Sequence, residues 1–230
     1  GVPRGGGAVR PPLPLWFGAG SVLGVRPSGE LGDLLSAAPV DSYCNGGVAP
    51  GSIWVAADYV RAAPGGTGAG KCSANYAGSL AAQREAAAEG CEQVLFVDAI
   101  ERTWLEELGG MNIFLVAEDG TLITPELSGT ILAGGDAGLH IKLAREHGRA
   151  VEDRRVSFEE WREGVESSRI TEAYACGTAA VITPIGRVRW RGGASRRVSW
   201  GAWRSGGGGF GPLWRRARRR RACRLSVGYP

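Results

Sequence analysis

The sequence contains very little lysine. Of its 27 basic residues only Lys71 and Lys142 are lysines, and the other 25 are arginines. Histidine and methionine are also scarce, with two residues and one residue respectively. Any chemistry that requires a primary amine on a side chain therefore has only two candidates.

Cysteine is present, but not in a pattern that builds a site. The five cysteines are odd in number and form no C-x-x-C pair, which argues against a disulfide framework and against a zinc knuckle. His140 and His147 alone do not predict a metal site, and we expect no bound metal. The same cysteine pattern predicts a reduced cytoplasmic protein. No apolar run approaches the roughly 20 residues that cross a bilayer, so we expect no membrane partner.

Acidic residues are missing from one part of the chain. Residues 187–230 contain thirteen arginines and no acid, whereas residues 1–186 carry a net charge of −9. The basic segment allows three interpretations: an RNA-binding arm, a solvated irregular tail, or the out-of-frame reading of a GC-rich gene. We favour the last, so nucleic acid is at most a partner of this tail.

The hydrophobic pattern predicts a mixed fold. The first twenty residues are rich in glycine and proline and predict an irregular segment. Farther along, strands and helices alternate, and an Asp-Gly pair predicts a hairpin at residues 118–120, so the predicted class is α+β. The predicted helices are 75–89, 139–147 and 158–165; the predicted strands are 52–56, 93–97, 112–117, 121–124, 170–176 and 179–185.

A glycine-rich loop leads to Lys71. The run from Gly65 to Cys72 comes within one residue of the P-loop pattern G-x-x-x-x-G-K-[ST]. However, Cys72 provides a thiol where a magnesium-binding hydroxyl is required, and residues 61–64 separate the glycines from the preceding strand. A nucleotide-binding protein is therefore the alternative, and an ordinary glycine loop with a solvated lysine is the simplest interpretation of this motif alone.

Four blocks in the same order resemble one family. Residues 59–76 resemble the lysine-bearing segment of branched-chain amino acid aminotransferases, the class IV pyridoxal-phosphate-dependent aminotransferases. Residues 107–112, 124–129 and 176–184 resemble three further blocks of that family, and the resemblance covers about residues 21–186. It implies the large cofactor-binding domain of fold-type IV at 51–186, a remnant of the interdomain linker at 21–50, and a missing small N-terminal domain.

The resemblance also implies roles for individual residues. Lys71 would be the catalytic residue and would be joined to pyridoxal 5'-phosphate, Glu107 would meet the pyridine nitrogen, and Tyr76 would bind the ring oxygen of the cofactor. Thr178 would bind the phosphate, and Thr178, Ala179 and Tyr43 would contact the substrate. We expect Glu106, the neighbour of Glu107, to be a surface acid.

The implied activity is transfer of the amino group of leucine, isoleucine or valine to 2-oxoglutarate, in amino acid biosynthesis or degradation. Its partners would be small amino acids and 2-oxo acids, and the family implies a homodimer. One departure concerns residues 133–137, which stand where the family has its phosphate-binding turn but do not match it, and where Asp136 adds a negative charge. For this reason, and because the small domain is missing, we expect weak or no turnover.

Overall fold

The computed structural model describes residues 13–36, 50–178 and 181–195 together with Val198. Two of the residues predicted to contact substrate, Tyr43 and Ala179, lie outside these described residues. The chain divides into two compact units, Gly1–Gly47 and Val48–Pro230.

The first unit contains an antiparallel pair of strands, β1 (Leu13–Gly18) and β2 (Leu31–Ser36). Between them the Ser28 hydroxyl accepts a hydrogen bond from the Gly20 amide at 3.0 Å. The prediction of an irregular segment over residues 1–20 is therefore wrong for β1. Its run of leucine, tryptophan and phenylalanine favours a strand, and the partner strand comes later in the sequence, where a local pattern does not reveal it.

The second unit is built around nine strands within its described residues. In chain order they are β3 (Gly51–Ala56), β4 (Gln93–Val97), β5 (Leu105–Leu108), β6 (Met111–Ala117), β7 (Leu122–Thr124), β8 (Val151–Asp153), β9 (Ile170–Gly177), β10 (Val181–Trp190) and β11 (Gly193–Ala194).

Six of these strands close into a barrel. Neighbours follow the order β3, β4, β5, β6, β9, β10, and β10 pairs back with β3. β3 is parallel to both β4 and β10, and the other neighbours in the ring are antiparallel. β7 and β8 extend the sheet from β6, and β11 extends it from β10. This arrangement confirms the predicted α+β class.

Three helices accompany the barrel: α1 (Ser73–Ala88), α2 (Gly135–Glu146) and α3 (Phe158–Glu166). They confirm the three predicted helices, although α2 begins four residues before the predicted start at residue 139. The Ser157 hydroxyl caps α3 by accepting a hydrogen bond from the Glu160 amide at 2.9 Å. No helix in the described part of the chain is long and apolar enough to cross a membrane.

The apolar side chains form three clusters, which explain how the helices pack. One cluster unites inward-facing residues of all six barrel strands with Trp161 of α3. A second joins Ala82 and Ala86 of α1 to β3 and β4, and the third joins Ala137 and Ala144 of α2 to β6, β9 and β10. Alternate residues of the strands therefore serve the barrel interior and the layer of helices.

The prediction of an irregular tail that begins at residue 187 is wrong for the first residues of that segment. β10 continues to Trp190, and its Val188 pairs with Ile53 of β3 while its side chain is buried in the barrel cluster. Gly192, with φ of +87°, then turns the chain into β11. The rest of the predicted tail lies outside the described residues, apart from Ser195 and Val198.

Candidate active site

The glycine-rich loop that leads to Lys71 is fastened to the start of α1. The side-chain amide nitrogen of Asn75 donates hydrogen bonds to the backbone carbonyl oxygens of Thr67 and Gly70, at 2.9 and 3.1 Å. The Thr67 hydroxyl in turn donates a hydrogen bond to Oδ1 of the Asn75 side chain at 2.6 Å. These bonds hold the loop in a fixed course, so Lys71 leaves it from a defined position just before the helix.

Lys71 and Tyr76 come together at this position. The Lys71 ammonium donates a hydrogen bond to the Tyr76 hydroxyl and lies 4.8 Å from the centre of the tyrosine ring. The ring also packs beside Gly110, where a Cβ atom would come within 3.1 Å of it. The other lysine, Lys142, is exposed on α2 and lies 3.9 Å from Glu146. The structure therefore places Lys71, and not Lys142, among the predicted site residues.

Glu107 is a buried carboxylate on β5 with an equally buried partner. It forms an ion pair with Arg61, and the two side chains are 2% and 3% exposed. Its Oε2 atom also accepts a hydrogen bond from the Leu132 amide at 3.1 Å. Burial raises the pKa of Glu107, although the positive charges of Arg61 and Lys71 and the Leu132 amide all oppose that rise. Lys71 and Glu107 therefore interact electrostatically.

Arg61 is a site residue that the sequence analysis did not identify. Besides its ion pair with Glu107, it donates to the Gly68 carbonyl oxygen at 3.0 Å, so it joins the glycine loop to β5. The available signal was its position in the same block as Lys71. An arginine in such a loop is usually solvated, and only the tertiary contact with Glu107 reveals its role.

Glu106 contradicts the expectation of a surface acid, because it is 4% exposed. Its Oε1 atom accepts a hydrogen bond from the Thr130 hydroxyl, which lies 2.7 Å from the Ser128 hydroxyl. Two adjacent residues of a strand point to opposite faces, but β5 is covered on both faces. The adjacent acids Glu106 and Glu107 are therefore both buried.

The barrel brings the Thr178 turn to the same end as Glu107. Glu107 of β5 pairs with Asn112 of β6, and Asn112 pairs with Cys176 of β9, so the three form one row across the sheet. Thr178 follows two residues later and is exposed. The structure thus places Thr178 in the neighbourhood that the sequence predicted, beside the turn between β5 and β6.

Residues 133–137, where the sequence departs from the family pattern, form the start of α2. Gly134 precedes the helix, and Asp136 lies in its first turn. This helix start is tied to the site because the Asn112 amide nitrogen donates to the Leu132 carbonyl oxygen at 3.0 Å. The acidic residue therefore occupies the positively polarised end of a helix, next to the segment that contacts Glu107.

A separate cavity of about 410 Å³ lies between the end of α1 and the strands β10 and β11. Trp54, Glu85, Arg187 and Trp190 are among its lining residues, and none of the predicted site residues within the described ranges is. It is not part of the arrangement around Lys71.

Comparison with known proteins points in one direction. Residues 49–188 match the amino-transferase class IV family. The branched-chain-amino-acid aminotransferase of Mycobacterium tuberculosis is 51% identical over 192 residues, which are 82% of this chain and 52% of that protein. A probable branched-chain-amino-acid aminotransferase of Streptomyces coelicolor is 48% identical over 196 residues, covering 85% and 52% of the two chains.

Solved structures agree with the sequence relatives. The branched-chain amino acid aminotransferase of Escherichia coli superposes with a TM-score of 0.67 at 28% identity, over 90% of this chain and 62% of that one. The enzyme of Thermobaculum terrenum in its PLP form gives 0.69 at 25% identity, over 89% and 62%. The chain spans about half the length of the curated relatives it matches. These matches give no support to the nucleotide-binding or RNA-binding alternatives.

Proposed function

This chain belongs to the amino-transferase class IV family, and we propose that it functions as a branched-chain amino acid aminotransferase. It would transfer the amino group of leucine, isoleucine or valine to 2-oxoglutarate with pyridoxal 5'-phosphate as cofactor. The observation that carries the proposal is the joint placement of Lys71 with Tyr76 and of Glu107 with Arg61 around one end of the barrel.

The side chains present suit this cofactor. The aldehyde of the cofactor would react with a primary amine, which Lys71 provides. The ring hydroxyl would bind a hydrogen-bonding partner, which Tyr76 provides, and the pyridine nitrogen would bind the carboxylate of Glu107. The exposed Thr178 hydroxyl and the start of α2 are the candidates for the phosphate. When bound, pyridoxal phosphate supplies a reactive aldehyde and an electron-accepting ring.

Lys71 has two tasks in this proposal. Its Nζ atom would hold the cofactor through the aldehyde, and as a free amine it would move a proton to or from the substrate α-carbon. The hydrogen bond to Tyr76 holds Nζ on one side of the tyrosine ring. Because Lys142 is exposed on α2, no other lysine among the described residues competes for these tasks.

Glu107 would hold a proton on the ring nitrogen of the bound cofactor. An ionised carboxylate in contact with that nitrogen favours the protonated ring, which withdraws electrons more strongly. Arg61 and the Leu132 amide stabilise the charged form of Glu107 and so oppose the rise in its pKa that burial causes. Arg61 thereby acts on the chemistry through Glu107, as a positioning residue.

The remaining contacts follow from the family resemblance. We infer that Thr178 and Ala179 meet the phosphate or the substrate carboxylate, and that Tyr43 lines the substrate side. The same reasoning gives a homodimer in the cytoplasm that serves the synthesis or breakdown of branched-chain amino acids. Asp136 in the first turn of α2 would weaken phosphate binding by charge repulsion, so we expect slow turnover.

A single-turnover experiment tests this function. The protein is loaded with pyridoxal phosphate, freed of excess cofactor and mixed with L-leucine, L-isoleucine or L-valine, and the matching 2-oxo acid is measured by mass spectrometry. We expect up to one oxo acid per loaded site from each L-amino acid and none from D-leucine. Equal yields from the Lys71→Ala variant, or a preference for D-leucine, would contradict the proposal.

A further inference from the structure

Glu106 is a second buried acid in the site, and the proposed mechanism does not use it. It is 4% exposed and directly precedes Glu107, which is 2% exposed. One buried cation, Arg61, attracts both carboxyl groups. Burying two negative charges against one positive charge is costly, so one of the two acids is expected to be neutral.

The contacts of the two acids differ in a way that identifies the neutral one. Glu107 has the ion pair with Arg61 and a hydrogen bond from a backbone amide. Glu106 has a hydrogen bond from the Thr130 hydroxyl at Oε1, and its buried Oε2 has no hydrogen-bond partner within the described residues. A bare carboxylate oxygen is costly to bury, whereas a carboxylic acid with its proton on that atom carries no net charge.

Glu106 also holds the segment that reaches Glu107. Thr130, its partner, lies two residues before Leu132, whose amide donates to Glu107. On its other side Thr130 packs closely against the glycine loop, since a Cβ atom added at Gly68 would lie 2.5 Å from the Thr130 carbonyl oxygen. The Glu106–Thr130 bond therefore fixes residues 128–132 between the loop that carries Lys71 and the carboxylate of Glu107.

We propose that Glu106 is a protonated positioning residue, which holds residues 128–132 against Glu107 without adding a second negative charge to the site. The protonation of Glu106 is independent of the proposed function. Its consequence for the reaction, a Glu107 that stays ionised, rests on that function. Burial raises the pKa of Glu106, and the negative charge of Asp98 acts in the same direction, while Thr130 and Arg61 oppose the rise.

Unfolding as a function of pH tests the protonation in the cofactor-free protein. A glutamate in an unfolded chain has a pKa of about 4.3. If folded Glu106 keeps its proton to higher pH, the folded state binds more protons than the unfolded state, and wild-type stability falls as the pH rises through that window. Glu106→Gln lacks this loss, so its unfolding constant relative to wild type should decrease by up to about tenfold per pH unit.

The matched control is Glu118→Gln, which removes an exposed carboxyl group, and its unfolding constant relative to wild type should not follow this trend. An increase in the relative unfolding constant of Glu106→Gln over the same pH range would mean that folded Glu106 is ionised and stabilised by Arg61. A constant ratio would mean that folding leaves its titration unchanged. Either result would overturn the proposal.

Infrared spectroscopy gives a second readout, which remains available if Glu106→Gln does not fold. Wild-type protein labelled with ¹³C-glutamate should show a carboxylic acid carbonyl band at neutral pH, where exposed carboxyl groups are ionised. Where the variants fold, Glu106→Gln should lose the band and Glu107→Gln should keep it. A wild-type spectrum without the band, or loss of the band only in Glu107→Gln, would contradict the proposal. Failure of Lys71 to bind cofactor would instead contradict the proposed function and leave the band in place.

Discussion

Arg61 and Glu107 form an ion pair in which both side chains are almost completely buried. Arg61 comes from the start of the glycine loop and Glu107 from a barrel strand, so the pair joins the segment that carries Lys71 to the sheet. Removing one partner of such a pair leaves the other charge buried and unpaired.

Replacement of Arg61 by alanine should therefore be strongly destabilising. We expect the free energy of unfolding to fall by about 3–5 kcal/mol, the usual cost of an uncompensated buried charge. Chemical denaturation followed by far-UV circular dichroism measures this change. Arg84→Ala, at an exposed position of α1, should remain within about 0.5 kcal/mol of wild type, and equal effects at both positions would rule out a special role for the buried pair.

Tyr76→Phe should weaken cofactor binding while preserving the fold. The change removes only the hydroxyl that, in the proposed function, binds the ring oxygen of the cofactor, and it leaves the tyrosine ring beside Gly110. A hydrogen bond contributes about 1 kcal/mol, so we expect roughly 5- to 10-fold weaker binding of pyridoxal phosphate, measured by absorbance titration. Tyr59→Phe, at a residue that is 40% exposed, is the control; a similar loss there would show that the titration does not report on the Tyr76 hydroxyl.

His140 should remain neutral at pH values where most histidines are protonated. Its side chain is buried between α2 and β9, where Nε2 and the Tyr174 hydroxyl are hydrogen-bonded, and burial lowers its pKa from 6.5 to about 4. The unfolded chain binds the proton near pH 6.5 and the folded chain only near pH 4. The free energy of unfolding should therefore fall as the pH is lowered between these values, by on the order of 3 kcal/mol in total.

Histidine NMR checks this directly, because the chain has only two histidines. His147→Gln removes one set of ring signals and leaves those of His140. Ring signals that shift with a midpoint near pH 6.5 in the folded protein would contradict the prediction.

Two adjacent glycines at the start of α2 should respond differently to alanine. A Cβ atom at Gly134 would collide with Asn112 Oδ1, whereas one at Gly135 would meet nothing within 4 Å. To make room, Asn112 would have to give up its bond to the Leu132 carbonyl oxygen. We expect Gly134→Ala to lower the unfolding free energy by about 1–3 kcal/mol and to weaken cofactor binding. Gly135→Ala, inside the helix, should be neutral or stabilising by up to about 1 kcal/mol, and the reverse order would show that the Asn112 contact is unimportant.

Much of the fold could be predicted because its signals are local. The alanine-rich run of α1, the apolar run of β4 and the Asp-Gly hairpin between β6 and β7 each indicate one element, and the structure has all three. β5 could not be recognised in this way, because two acids interrupt its apolar pattern. Barrel closure depends on the pairing of β10 with β3, which no local pattern indicates.

Site residues that belong to a sequence motif could be predicted, whereas site residues that are defined only by tertiary contacts could not. Lys71, Tyr76 and Glu107 stand in blocks that resemble a known family, and the structure brings them to one end of the barrel. Arg61 and Glu106 have ionisable side chains, which are expected from the sequence to be exposed to solvent. Their burial arises because strand β5 is covered on both sides and because loops from distant parts of the sequence meet over it.

Identification of the lysine that binds pyridoxal phosphate tests the proposed function most directly. Protein loaded with the cofactor is reduced with borohydride, digested, and analysed by peptide mass spectrometry, with Lys71→Ala and Lys142→Ala compared with wild type. We expect a visible absorbance band and a phosphopyridoxyl label on Lys71, both retained in Lys142→Ala and lost in Lys71→Ala. A label on Lys142 alone, or a band that persists in Lys71→Ala, would contradict the proposed function.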